Sequence, residues 1–159
     1  MEITNQDKEF MREAIRLASE SVVNGGGPFG SVIVKDGEII AGSSNSVTID
    51  NDPTAHAEVN TIRKACKKLG TFDLSGCTIY TSCEPCPMCL GAIYWARISC
   101  IFYGNNRKDA RDIQFADDFI YEELERPLGN RTVPIIPLLR EEALSSFRLW
   151  SEKADKTEY

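Results

Sequence analysis

The 159-residue sequence predicts an α/β sandwich built around a mixed sheet. Short strand-like runs alternate with amphipathic helical segments, and Asp36-Gly37 between two such runs is typical of a two-residue hairpin turn. The hairpin supplies an antiparallel pair of strands. The later strands are separated by helices, as parallel crossover connections require. Both kinds of strand pairing are therefore expected in one sheet.

The individual elements follow from apolar spacing and from turn residues. A first helix over Gln6–Val23 is capped by Thr4 with Asp7 three residues later. The other predicted elements are strands over 31–35 and 38–45, a helix from 54 to about 69, a strand over 77–81, a helix ending at 97, a strand over 100–103, a loop over 104–114, a helix over 115–124, a strand over 132–136 and a helix over 141–153. No repeat or second domain is evident, so a single domain over 1–159 is expected.

Composition favours a soluble globular protein that acts on or binds a small uncharged molecule. Apolar residues make up 42% and charged residues 26% of the chain, which is ordinary for a soluble domain. The net charge is −6 and no run of lysine and arginine exceeds two residues, so nucleic acid is not the expected partner. No leader peptide or apolar stretch of membrane-spanning length is present, so we expect a cytoplasmic protein without a membrane partner.

Two short motifs predict a metal site. His56 is the only histidine, and Cys86 and Cys89 have the C-x-x-C spacing that lets two thiolates share one tetrahedral zinc. Three protein ligands leave a fourth position open, which is typical of catalytic zinc. Alternatives are a structural histidine with a redox cysteine pair, or an iron–sulfur site that also uses Cys83. The ferredoxin pattern needs a further Cys-Pro, which is missing here.

Glu58 is the candidate catalytic residue. Residues two apart on a helix point to different sides, so Glu58 is not expected to bind the metal that His56 holds. A carboxylate beside the metal can accept a proton from water and pass it on, which is general acid–base work. Both motifs stand where a helix should begin, so the positive ends of two helix dipoles are expected to meet at the metal and favour the thiolates.

Two residues are candidates for substrate contact. Phe29, in the glycine-rich break over 25–30, is predicted to lie at the pocket. Asn45 stands at the end of a strand near the metal helix, where its amide could bind the edge of a base. It could equally serve as a turn residue, and both alternatives stay open.

Longer stretches around these motifs carry a family resemblance. They are Gly26–Gly30, Asn51–Glu58 and Thr81–Ala96, with further similarity near Phe115–Tyr121, Trp150 and Glu158-Tyr159. The chain resembles the cytidine deaminase-like zinc hydrolases over essentially its whole length, and among them the bacterial guanine deaminases most. The resemblance implies a three-layer α/β/α sandwich with a mixed central sheet and hydrolysis of guanine to xanthine and ammonia.

The resemblance also implies roles for individual residues. One zinc per subunit would be held by His56, Cys86 and Cys89, with Glu58 as proton shuttle. The purine would be contacted by Asn45, Asp117 and Tyr159. Phe29 and Ala57 complete the predicted set of substrate contacts. A homodimer would exchange its C-terminal segments, from about 115 to 159, so that Asp117 and Tyr159 close the partner's site.

Other functions remain open at this stage. The same zinc chemistry could act on a nucleoside, on cytosine or on adenosine in transfer RNA, although the acidic net charge disfavours RNA because phosphate contacts need basic residues. A zinc-binding module without turnover is a further alternative, but it would have no need of Glu58 beside an open metal position. By composition alone, residues 154–159 would be a frayed end.

Overall fold

The structure of the chain is a computed structural model that describes residues 2–159. It contains two compact units, Met1–Asp118 and Phe119–Tyr159. The first unit holds α1 (Asn5–Val23), β1 (Gly30–Lys35), β2 (Glu38–Ser44), α2 (Val47–Asp50), α3 (Ala57–Leu69), β3 (Thr78–Cys83), α4 (Pro87–Trp95), β4 (Cys100–Asn105) and α5 (Arg107–Asp112). The second unit holds α6 (Asp118–Glu125), except for its first residue, and α7 (Arg140–Glu152).

The sheet of the first unit is mixed, which confirms the prediction. Its strand order is β2-β1-β3-β4, with β1 antiparallel to both neighbours and β3 parallel to β4. Asp36 and Gly37 both have positive φ, at 50° and 80°, as a type I′ hairpin turn requires. The register between β1 and β3 places Ser31 opposite Thr81.

Helices cover both faces of this sheet and complete the three-layer sandwich. Because side chains alternate along a strand, one face carries Ile33 and Ile79, which pack with Ala65 of α3 and Ile93 of α4. The opposite face carries a second cluster that α1 covers, formed by Ala14, Val32, Val34 and Tyr80. The layers therefore follow directly from the period-two pattern of the strands.

α1 lies unusually close to β1. A Cβ placed on Gly30 would come within 2.4 Å of the Ala14 carbonyl oxygen and 2.5 Å of the Ala18 nitrogen, so this strand position has room for glycine alone. The predicted helix cap is present, with the Asp7 N–H donating to the Thr4 hydroxyl at 3.1 Å. Tyr80 on β3 also donates its hydroxyl to Asp7 at 2.5 Å, which ties the start of α1 to the sheet.

Three predicted elements of the C-terminal third are wrong in detail. The loop expected over 104–114 contains α5, a six-residue helix capped by Asn106 and too short to show an apolar stripe. The helix expected from 115 begins at Asp118. The strand expected over 132–136 does not form in the described chain, and Pro134 at its centre lacks the N–H that a ladder needs.

No helix in residues 2–159 is both long enough and apolar enough to cross a lipid bilayer.

Candidate metal centre

Two helix starts supply the candidate metal donors. His56 is the residue that precedes the first turn of α3, and Cys86 holds the same position before α4, where Pro87 is the first helical residue. β3 ends at Cys83, so the chain passes from the sheet into α4 across three residues. The prediction that each motif stands where a helix begins is confirmed.

The three donor atoms lie close together. The Nδ1 atom of His56 is 3.5 Å from the Cys86 sulfur and 3.4 Å from the Cys89 sulfur, and all three donors lie within 4.8 Å of one another. Zinc bonds of about 2.3 Å to sulfur and 2.05 Å to nitrogen, meeting at a tetrahedral angle, would separate such donors by roughly 3.5 Å. The donor types and their spacing thus fit three corners of a zinc tetrahedron.

The two thiols differ in acidity because they hydrogen-bond each other. The contact with Cys89 lowers the pKa of Cys86 well below its usual range, and the His56 imidazole acts in the same direction. The same thiol–thiol contact, together with burial, raises the pKa of Cys89, so one proton stays on that residue in the metal-free pair. The Cys86 contact raises the pKa of His56. A dication would displace these protons, so metal binding and proton release are coupled here.

Glu58 lies beside the donors in the first turn of α3. Its side chain is buried, with 5% of the residue exposed. Oε1 accepts a hydrogen bond from the Thr81 hydroxyl at 2.7 Å, and Oε2 is 3.3 Å from the Cys89 sulfur. Burial raises the pKa of Glu58, while the Thr81 hydrogen bond opposes that shift. A carboxyl group with a raised pKa can hold a proton and also release it.

Asp117 presents a buried acceptor near the same centre. Its Oδ1 atom has no hydrogen-bond partner among the described residues. Burial raises the pKa of Asp117, and the negative charge of Cys86 acts in the same direction, against the opposing charge of Arg107. The structure therefore places Asp117 within electrostatic range of its own chain's Cys86, where the resemblance implied a partner's site. A ligand N–H would satisfy this orphaned oxygen.

Phe29 and Asn45 form one local cluster. The Asn45 N–H donates to the Phe29 carbonyl at 3.0 Å, and the Phe29 ring meets the Phe115 ring edge-on at 5.0 Å. The side-chain oxygen of Asn45 accepts from the Val47 N–H at 3.2 Å, so Asn45 does act as a turn residue at the start of α2. Contact of its amide with a base stays a prediction.

The other two predicted contacts differ in setting. Ala57 is fully buried as the first residue of α3. Tyr159 belongs to the second unit and is 73% exposed. Their proposed contacts with a purine stay predictions.

Asn60 and Thr81 make buried or half-buried hydrogen bonds near this centre, and their sequence positions did not mark them as site residues. Thr81 donates to Glu58, as described above. The two hydrogens of the Asn60 amide nitrogen are shared among three acceptors, the Ser44 carbonyl at 3.1 Å, the Ser46 hydroxyl at 3.0 Å and the Ala55 carbonyl at 3.3 Å. Asn60 thereby ties α3 to the loop that leads to His56. The only sequence signal was a polar residue next to the apolar stripe of the helix.

Comparison with known proteins gives a consistent set of relatives. Residues 4–105 match the family model described as the cytidine and deoxycytidylate deaminase zinc-binding region. Guanine deaminase of Bacillus subtilis is 56% identical over 151 residues, which cover 94% of this chain and 97% of that protein. The tRNA-specific adenosine deaminase of Bacillus subtilis is 43% identical over 99 residues, which cover 62% of each chain.

Solved structures agree with the sequence matches. The X-ray structure of guanine deaminase from Bacillus subtilis has a TM-score of 0.94 at 53% identity and covers 99% of both chains. A structure of guanine deaminase from Nitrosomonas europaea has a TM-score of 0.68 at 27% identity, covering 94% of this chain and 85% of that one.

Metal analysis of two cysteine variants tests the donor set. We expect Cys86→Ser to lose most of its bound zinc, because a neutral hydroxyl replaces a thiolate donor. Cys83→Ser should keep zinc, because Cys83 does not belong to the three-donor group. Atomic emission of the purified variants measures both. Zinc retained in Cys86→Ser and lost in Cys83→Ser would mean that the donor set is wrong.

Proposed function

The chain belongs to the cytidine and deoxycytidylate deaminase zinc-binding family, and we propose that it is a zinc-dependent hydrolase that converts guanine and water to xanthine and ammonia. The observation that carries this choice of substrate is the length of the match. Similarity to a guanine deaminase extends over 94% of the chain, whereas similarity to a tRNA-specific adenosine deaminase covers 62%. The C-terminal third, beyond the family's zinc-binding region, is thus shared with the guanine enzyme.

His56, Cys86 and Cys89 would hold the metal, and their spacing supports this assignment. Zinc bound there would acidify a water molecule and make hydroxide available near neutral pH. Glu58, buried beside the donors, would take one proton from the attacking water and deliver it to the purine ring nitrogen. It would then take the second proton of the added hydroxyl group and deliver it to the departing amine, which leaves as ammonia. The raised pKa of its carboxyl group suits both steps.

Asp117 is proposed as the acceptor for the N–H groups of guanine. Guanine carries an exocyclic amine and ring N–H groups, and the unpartnered Oδ1 of Asp117 offers the complementary charge. Phe29, in contact with Phe115, offers an aromatic surface on which a purine can stack. Asn45 and Ala57 are proposed as further contacts to the base.

An ammonia-release assay tests the substrate. The panel contains guanine, guanosine, adenine, adenosine, cytosine, cytidine and a transfer RNA anticodon stem. We expect turnover of guanine and little or none of the others. Turnover of another member instead would keep the hydrolytic chemistry and overturn the proposed substrate. If the zinc-loaded protein released ammonia from no member of the panel, the proposal that the chain is a deaminase would be contradicted.

Replacing Glu58 tests the proton carrier. We expect Glu58→Gln to bind zinc normally and to lose about 10²- to 10⁴-fold in kcat, the usual contribution of a general acid–base group. Glu84→Gln is the matched control, because the Glu84 carboxylate pairs with Arg107 at 2.7 Å instead. Its loss should stay below about tenfold, since a part-exposed ion pair contributes only about 1 kcal/mol. Equal effects of the two variants would remove Glu58 from the mechanism.

The exposed apolar surface supports a homodimer that exchanges its C-terminal segments. No residue of the second unit, 119–159, is buried, and its large apolar side chains include Phe147 and Trp150. A 41-residue unit with so little burial cannot hold its fold in water without a partner surface. In the first unit, Tyr94 and Trp95 of α4 are 75% and 69% exposed. Such apolar surface is typical of a dimer interface.

The terminal tyrosine is proposed to close the partner's substrate site. We expect Tyr159→Ala to raise KM for guanine several-fold without loss of zinc or of the dimer, because only water exclusion over the base is impaired. Tyr159→Phe, which keeps the ring, should stay near wild type. Steady-state kinetics and light scattering measure these effects. Unchanged kinetics in Tyr159→Ala, or a monomeric wild type, would exclude this closure.

A further inference from the structure

The two oxygen atoms of the Glu58 carboxylate have different surroundings. Oε2 faces the metal donors, 3.3 Å from the Cys89 sulfur, whereas Oε1 faces the sheet and accepts from Thr81 at 2.7 Å. The terminal torsion of a glutamate side chain is broad and roughly two-fold, so the side chain's own preferences do not hold a carboxylate in one orientation. An outside contact must therefore fix the orientation of the carboxylate plane relative to the metal donors.

Thr81 is well suited to provide that contact. It lies in β3 and is completely buried, with β1 on one side and β4 on the other. As a β-branched residue in a strand it has few accessible rotamers, so its hydroxyl points in a defined direction. Its neighbour across the β1–β3 pairing is Ser31, whose hydroxyl is occupied by Thr61 of α3 at 2.7 Å. Among the described residues, buried hydroxyls therefore join the sheet to α3 at two residue pairs, Thr81–Glu58 and Ser31–Thr61.

We propose that Thr81 is a positioning residue for the reaction, which holds the Glu58 carboxylate with Oε2 towards the substrate and the metal donors. This inference rests on the proposed function, since it assigns Glu58 the proton transfers. Partners that orient the groups around a metal typically affect activity by about 10- to 100-fold when removed. A small displacement of a proton carrier is costly, because proton transfer requires hydrogen-bond distance to the accepting atom.

The adjacent hydroxyl contact offers a matched control. Thr61 is also completely buried, and its hydroxyl bonds the Ala57 carbonyl at 2.7 Å as well as Ser31. No hydrogen bond joins it to Glu58 in the described part of the chain. Thr61→Val therefore removes a buried hydroxyl of the same kind from the same layer without touching the carboxylate. Any general effect of losing such a hydrogen bond on stability appears in both variants.

The experiment compares three full-length, zinc-loaded variants with wild type. We expect Thr81→Val to lower kcat for guanine about 10- to 100-fold, to change KM less than about three-fold and to bind zinc normally. Thr81→Ser, which keeps the hydroxyl on a less restricted side chain, should recover most of the lost kcat. Thr61→Val should lower the melting temperature as much as Thr81→Val does but keep kcat within about three-fold of wild type.

Two further readouts do not depend on turnover. Binding of the reaction product xanthine, measured by calorimetry, should be the same in Thr81→Val and wild type. A crystal structure of Thr81→Val should show the Glu58 carboxylate rotated or in two orientations. Glu58 in its wild-type place would overturn the proposal, as would a Thr81→Val enzyme with normal kcat or one that loses kcat no more than Thr61→Val. If wild type acts on a different amine, the proposed substrate fails, but the kcat ratios on that amine still test Thr81.

Discussion

The packing of α3 and α4 on the same face of the sheet determines the geometry of the metal centre. His56 precedes α3, and Cys86 and Cys89 belong to the start of α4, about thirty residues later in the chain. The His56 nitrogen lies 3.4–3.5 Å from the two sulfurs because both helices pack on the same cluster around Ile33 and Ile79. Burial of apolar side chains therefore supplies the free energy that brings the donors together.

The sheet face that packs against α3 changes from apolar to hydroxyl side chains along its length. In β1 the inward residue changes from Ile33 to Ser31, and in β3 it changes from Ile79 to Thr81. Since the strands are antiparallel with Ser31 opposite Thr81, both hydroxyls lie at the same end, beneath the first turns of α3. Apolar contacts tolerate small sliding of a helix, whereas hydrogen bonds of 2.7 Å do not. The polar end of the layer thus gives the helix a definite position where the chemistry requires one.

The second unit, in contrast, buries few of its apolar side chains. Residues 119–159 leave every side chain at least partly exposed, including aromatic ones. Helices such as α7 gain little from intrinsic propensity alone and need a packed apolar face to be stable. The exchange proposed above would supply that face.

Local spacing in the sequence by itself determines much of this protein. The three-residue spacing of Cys86 and Cys89 predicts the two thiol donors, and the hairpin turn predicts the antiparallel pair. Apolar periodicity predicts the longer helices. Each of these features depends only on residues that lie close together in the sequence. The sequence pattern does not predict α5, because a helix of six residues is too short to show an apolar period. It wrongly predicts a strand around Pro134, because proline interrupts the apolar run there. Tertiary structure alone decided which residues the Glu58 carboxylate and the Asn60 amide contact, and that Oδ1 of Asp117 has no partner within residues 2–159. Those contacts join residues that are distant in sequence, and their distances depend on how the layers pack.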